Sequence, residues 1–255
     1  MEEVVNTNKM IAAVSLLAGK LLVENGAEIS RTEDTMERII RIALNDPAKS
    51  SKYTYVTLNG IFVKLEDFGT DFLRIDNRDY DLNKITQVNQ LSRDFALQRI
   101  TLIELYQALK KVEAEKASIQ LWKKYICTAG LSGSIVLIFG GSFVDLPASM
   151  IAGVVSFAIY LLISKLLNIP FLAEFCGTFV GGMTGYLLLH FIGTHTSLIM
   201  IGAVVPLVPG ITITNAIRDI MARHYLSGMI RTVEGLAIAA SLGAGIAVVY
   251  YLFII

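Results

Sequence analysis

The strongest constraint on this chain is the near absence of charge beyond Lys124. Uncharged stretches run over 125–144, 146–164, 175–217 and 235–255, and only eight of the 44 Asp, Glu, Lys and Arg residues lie beyond Lys124, all of them between these stretches. One membrane span takes roughly 20 apolar residues. Three stretches therefore hold one span each, and the third, 43 residues long, holds two with the polar patch 190–197 (HFIGTHTS) as its turn. The expected spans are about 125–144, 146–165, 171–190, 197–217 and 234–255. The predicted fold class is an α-helical integral membrane protein with five transmembrane helices (121–255), preceded by a cytoplasmic mixed α/β domain (1–120).

Positive charge sets the orientation. Lys110, Lys111, Lys116, Lys123 and Lys124 precede the first span, Lys165 follows the second, and Arg218, Arg223 and Arg231 lie between the fourth and fifth. The loops around Asp145 and His195 carry neither Lys nor Arg. The positive-inside rule then puts the N-terminal domain in the cytoplasm and Ile255 outside a multi-pass inner membrane. The apolar run 10–23 imitates a signal peptide, but Glu2 and Glu3 precede it, Lys20 interrupts it and no small-residue cleavage site follows, so it is expected to be a helix of the soluble domain.

The first 120 residues have globular patterning. Helical spacing over 10–25 ends at Asn25-Gly26, a left-handed stop. Ser30-x-x-Glu33 reads as a capping box for a second helix carrying Met36, Ile39, Ile40 and Leu44, with Pro47 just past its end. In YTYVTLNGIFVKLED (53–67) two β-rich runs flank Asn59-Gly60, the favoured two-residue hairpin turn, and FLRI (72–75) supplies a third strand. Helices over 83–99 and from Thr101-x-x-Glu104 complete the domain. Glu28, Arg31 and Glu33 either face one another or a ligand, or simply complement a helix start.

Small residues recur every four positions at Ala148, Ala152 and Ser156, at Gly177, Gly181 and Gly185, and at Gly235, Ala239, Gly243 and Ala247. Such stripes let helix backbones approach closely in lipid, predicting a tight bundle or oligomer. Pro147 and Pro170 begin spans, where a missing N–H costs nothing. Pro206 and Pro209 stand mid-span, each a disturbance of roughly 3 kcal/mol or more in a helix interior. Irregular backbone at membrane depth belongs where protein buries it or a wet cavity adjoins it. Broken helices in transporters often present a half-helix N-terminus to an anionic substrate group. Here that half-helix would begin near Gly210 and carry Thr212, Thr214 and Asn215; the alternative is a healed proline kink.

Two roles stand for Arg218 and Asp219: an orientation anchor with its salt-bridge partner, or a cation drawing in a carboxylate beside a proton relay through Asp219 or Glu234. Glu174, one turn into the third span, is either a functional ionisable group or a dipole-favoured carboxylate. His190, His195 and His224 are scattered loop residues, and Cys127 and Cys176 lie far apart within spans, so neither a metal nor a disulfide is expected. No cofactor is expected, and no phosphate loop, HExxH or GxSxG motif points to an enzyme. The balanced charge does not speak for nucleic acid.

LLAGKLLVENGAEISRTEDTMERI (16–39), PLVPGITITNAIRD (206–219) and SGMIRTVEGLAIAASLG (227–243) together resemble the threonine/serine exporter family across almost the whole chain. The resemblance implies a proton-driven secondary exporter of small amino acids. It also implies one half of a two-component system, working beside a smaller membrane companion. The alternatives are a dicarboxylate (succinate-type) exporter subunit, or a regulatory or assembly subunit whose companion carries the cargo. The family pattern falls on Gly26, Ala27, Glu28, Arg31, Glu33, Pro206, Pro209, Gly210, Asn215, Arg218, Asp219, Gly228, Arg231 and Glu234. Arg223-His224 departs from it, standing where a Gly-Asp pair is common.

Overall fold

The computed structural model describes residues 2–46, 53–65, 69–115, 119–167, 169 and 171–253. Pro47, Lys116, Pro170, Ile255 and positions 66–67 of the expected strand run lie outside the described residues. The chain is mostly helical, with one small sheet, and forms two compact units. One unit comprises Met1–Ser118 with Thr214–Arg231, the other Ile119–Ile213 with Thr232–Ile255.

In the first unit, α1 (Glu2–Glu24) is apolar on every side of its second half and is buried accordingly. Ile11 and Leu16 pack with Ile61, Val63 and Leu65 of the sheet, while Leu17, Leu21 and Leu22 pack with Val88, Leu105 and Leu109. The run that imitates a signal peptide is thus the spine of two joined cores. The helix stops at Gly26, whose φ of +89° only glycine adopts readily, and a Cβ there would meet the Tyr80 ring.

Next come α2 (Ile29–Ala43), strands β1 (Thr54–Val56), β2 (Gly60–Leu65) and β3 (Gly69–Arg74), and helices α3 (Leu82–Ala96) and α4 (Leu102–Ala114). The sheet is antiparallel in the order β1-β2-β3, with Val56 opposite Ile61 and Phe62 opposite Phe72. The Thr101–Glu104 capping box of α4 is formed as predicted, and Asp81 caps α3.

Two local expectations need correction. The hairpin turn is Leu58–Asn59, one residue earlier than Asn59-Gly60: Thr57 N donates to Gly60 O at 2.9 Å. Leu58 is fully buried, so the core draws the turn forward, and neither Asn59 nor Gly60 adopts a positive φ. The Ser30–Glu33 capping box is absent, because α2 starts at Ile29 behind Glu28 and the Glu33 carboxylate accepts from Val56 N at 3.0 Å.

The second unit contains α5 (Leu121–Ile138), a 3-10 turn (Phe143–Asp145), α6 (Leu146–Leu167), α7 (Leu172–Leu189), α8 (Thr196–Val204) and a second 3-10 turn (Val205–Leu207). It also takes the first four residues of α9 (Gly210–Met221) and residues 232–253 of α10 (Tyr225–Phe253); the rest of both helices belongs to the first unit. Packing centres on α6, which lies against α5, α7 and α8. The expected stripes on α6 and α7 meet: a Cβ on Gly181 would come within 2.6 Å of Ser156 Cβ and 2.9 Å of Ala152 O. The α10 stripe is a correction. Gly243 has open space beside it, and the close approach is made instead by Gly245, whose Cβ would meet Phe175 O at 2.7 Å.

Among the described residues, three segments are long and apolar enough to cross a membrane: Phe143–Leu167, Leu172–Leu189 and Tyr225–Phe253. A bent pair, Thr196–Leu207 with Gly210–Met221, makes a fourth if taken as one span. Helix α5 falls short of that standard, since Lys123, Lys124 and its glycines and serines dilute its apolar residues.

Candidate functional site

The expected break is present, between Thr196–Leu207 and Gly210–Met221. Pro206 has no N–H for the Gly202 carbonyl, and Pro209 has none for Val205, whose carbonyl takes Val208 N instead at 3.2 Å. The chain bends by 59° there, and α9 starts at Gly210, the position read from the sequence. Beside the break, within the second unit, lies a cavity of about 450 Å³ lined by Met200, Val204, Val205, Val208, Ile246 and Tyr250. Its walls are apolar apart from Ser197 and the Tyr250 hydroxyl. Thr212 is buried, Thr214 is exposed, and Glu174 and Glu234 are half-buried.

The polar end of α9 has another setting. Residues 214–231 belong to the first unit, and there residues of the three stretches that carry the family resemblance meet. Asn215 Nδ2 donates to Gly26 O at 2.9 Å, and Arg231 Nη2 donates to Ala27 O at 2.8 Å. Asp219 Oδ1 accepts from Ile29 N at 3.0 Å. Asp219 is 0% exposed and Arg231 3%, and their Oδ2 and Nε atoms stand 3.1 Å apart as an ion pair.

A carboxylate placed at a first-turn N–H satisfies an orphan donor and complements the helix dipole. Asp219 therefore caps α2 from 190 residues away. The N-cap residue itself, Glu28, turns outward and pairs with Arg218. The sequence reading that paired Arg218 with Asp219 is thus corrected: Asp219 is held by Arg231, and Arg218 by Glu28. Arg31 is exposed, whereas Glu33 lies 3.7 Å from His224.

The departure at 223–224 has a physical reading. Arg223 adopts φ +68°, the left-handed conformation that glycine takes without strain, between α9 and α10. His224 fills the place of an acid and faces an acid in turn.

Sequence reasoning missed a second polar centre, at the ends of spans with no Lys or Arg. Asp145, fully buried, accepts at Oδ1 from Thr194 N (2.5 Å) and His195 N (3.1 Å) and at Oδ2 from Ser142 N (3.1 Å), and Oδ2 also lies 2.8 Å from His195 Nδ1. The only prior signal was that both loops lack basic residues; a separation of 50 positions hid the pairing. Among the described residues, no group of His, Cys, Asp and Glu has the geometry to hold a metal.

Charge in the α1–α4 packing is organised around Glu113. Hydrogen bonds from Lys110 and Lys20 hold its carboxyl below the usual range, and the same contact raises Lys20. Burial pushes Glu24, one turn along α1, upward.

Comparison with curated proteins and with solved structures gives no match. A family model does match: the one described as "Putative threonine/serine exporter" covers residues 13–253, nearly the whole chain, and with all three signature stretches inside that match the chain belongs to this family.

Proposed function

We propose that this chain is a secondary exporter of threonine, serine or a related small amino acid, driven by proton entry and working as one half of a two-component system. The observation that carries the reading is the broken fourth span in a chain of a transporter family. Five spans, counting α5, hold the protein in the inner membrane, with the N-terminal domain in the cytoplasm and the C-terminus outside. The cargo passes the break at Pro206, Pro209 and Gly210, where the first turn of α9 offers N–H groups to its carboxylate and Thr212 and Thr214 offer hydroxyls. The neighbouring cavity lies within the roughly 300–1,000 Å³ of small-molecule sites. Glu174 and Glu234, ionisable groups inside spans, are the candidates for proton transfer.

The test is uptake of labelled threonine by inside-out vesicles with an imposed proton gradient, with and without the companion. Uptake that needs the gradient, and that disappears when Pro209 and Gly210 are both changed to Ala while insertion is retained, is the expected result. Full transport by that double variant overturns the role of the break. Strong competition by succinate reassigns the cargo to dicarboxylates.

A further inference from the structure

Asn215 Nδ2, Arg231 Nη2 and Asp219 Oδ1 are spent on backbone, while Asp219 Oδ2 and Arg231 Nε pair with each other. Between them the three side chains hold Gly26 O and Ala27 O of the α1–α2 loop and Ile29 N at the start of α2. A substrate site presents polar groups to an opening, but these are closed off, with Asn215 6%, Asp219 0% and Arg231 3% exposed.

The loop they grip is itself fixed. Gly26 N donates to Val23 O and Ala27 N to Leu22 O, tying it to α1. Asp79 N donates to Glu24 O and Asp81 N to Asn25 O, tying α1's end to the start of α3. The Tyr80 ring covers Gly26. The gripping residues sit on α9 and α10, and α9 is the half-helix that begins at the break. Twelve hydrogen-bonded residues make a rod of about 18 Å, stiff enough to transmit displacement from one end to the other.

We propose that Asn215, Asp219 and Arg231 are positioning residues: a backbone-reading clamp through which the α1–α2 loop sets the conformation of the broken span. The N-terminal domain thereby gates export without touching cargo. Asp219 is the keystone, because it caps α2 and neutralises Arg231 at once. The clamp rests on the exporter reading for what is gated, but its existence does not depend on the identity of the cargo.

The experiment uses the full-length chain in membrane vesicles, with Cys127 and Cys176 replaced by Ala and Val208→Cys as a reporter at the break, where Val208 is half exposed. The rate of labelling by a water-soluble maleimide is compared for the intact clamp, Asn215→Ala and Arg231→Lys. Lysine keeps a positive charge for Asp219, but its single nitrogen lacks the guanidinium fork that reaches Asp219 and Ala27 O at once. Expected is at least a threefold change in labelling rate in both variants, with the maximal export rate falling and the half-saturating threonine concentration unchanged. Faster hydrogen exchange at Ile29 with unaltered labelling at position 208 overturns the proposal, since the clamp would then be local scaffolding. A raised half-saturating concentration also overturns it, since these side chains would then touch cargo. If the unaltered chain moves no threonine, the exporter reading fails while the labelling arm still decides the clamp. Should Arg231→Lys not accumulate, Asn215→Ala and Asp219→Asn carry the comparison.

Discussion

Replacing Gly181 by alanine tests how closely α6 and α7 are packed. Two effects oppose each other. Alanine is favoured over glycine in a helix interior by about 1 kcal/mol. Against that, its Cβ would stand 2.6 Å from Ser156 Cβ, 2.9 Å from Ala152 O and 3.0 Å from Ser156 Cα, where carbon contacts prefer about 3.5–4.0 Å. Two of these atoms are backbone, so no rotamer change relieves the clash and the helices must part by about 1 Å. Overpacking of this kind costs about 1–3 kcal/mol. Parting also loosens Gly177, whose Cβ position is 2.9 Å from Ser156 O on the same seam. Gly130, in the middle of α5, is the reference, because nothing lies within 4 Å of its Cβ position. The helix-propensity gain cancels between the two variants, so Gly181→Ala should be less stable than Gly130→Ala by about 1–3 kcal/mol. Reversible unfolding in mixed micelles, followed by circular dichroism, measures the difference. Equal stability of the two variants, within about 0.5 kcal/mol, would refute the close seam and with it the reason for the glycine stripe.

Two further outcomes follow from the polar centres. Asp145→Ala should cost about 3 kcal/mol or more in the same unfolding assay, since the N–H groups of Ser142, Thr194 and His195 lose their buried acceptor together; a loss below about 1 kcal/mol would mean the donors find other partners. Glu113 is held below its ordinary range by Lys110 and Lys20, so its contribution is complete above the unfolded-state value of about 4.3 and fades as acid carries pH down through the lower folded value. Acid melting curves of the full chain and of Glu113→Gln should therefore stay offset above about pH 4.3 and converge as pH falls below it, and curves that already coincide at neutral pH would remove the network from the stability of α1 and α4.

Local signals in the sequence translated well into structure. Gly26 as a left-handed stop, the Thr101–Glu104 box and the break at Pro206, Pro209 and Gly210 depend on neighbours a few positions apart, and each is present. The stripes on α6 and α7 were legible because helix packing in lipid selects small residues at a fixed period. The stripe on α10 misled, since period alone does not say which of Gly243 and Gly245 faces a neighbour. The capping box at Ser30 failed for a different reason. A local motif competes with distant groups: Asp219 caps the helix one residue earlier, at Ile29 N, and the Glu33 carboxylate is taken by Val56 N. The pairings Asp219–Ile29, Arg231–Ala27 and Asp145–His195 were invisible to local reasoning, because a charged residue in a loop or span carries no mark of its partner across tens or hundreds of positions.

Because the cap of α2 is supplied by residue 219, the N-terminal domain is finished late in synthesis. The loop at Gly26, Ala27 and Ile29 leaves the ribosome about 190 residues before the side chain that seals it. At roughly 5–20 residues per second that is an interval of about 10–40 s. During it the spans that separate the two sequences must enter the membrane. Only then does the turn between α9 and α10 become available to dock. Docking of 214–231 is then the step that caps α2 and fills the polar contacts at Gly26, Ala27 and Ile29. A fragment ending near residue 118 would sit permanently in that unfinished condition, so ligand binding by such a fragment would report on a domain lacking its last piece.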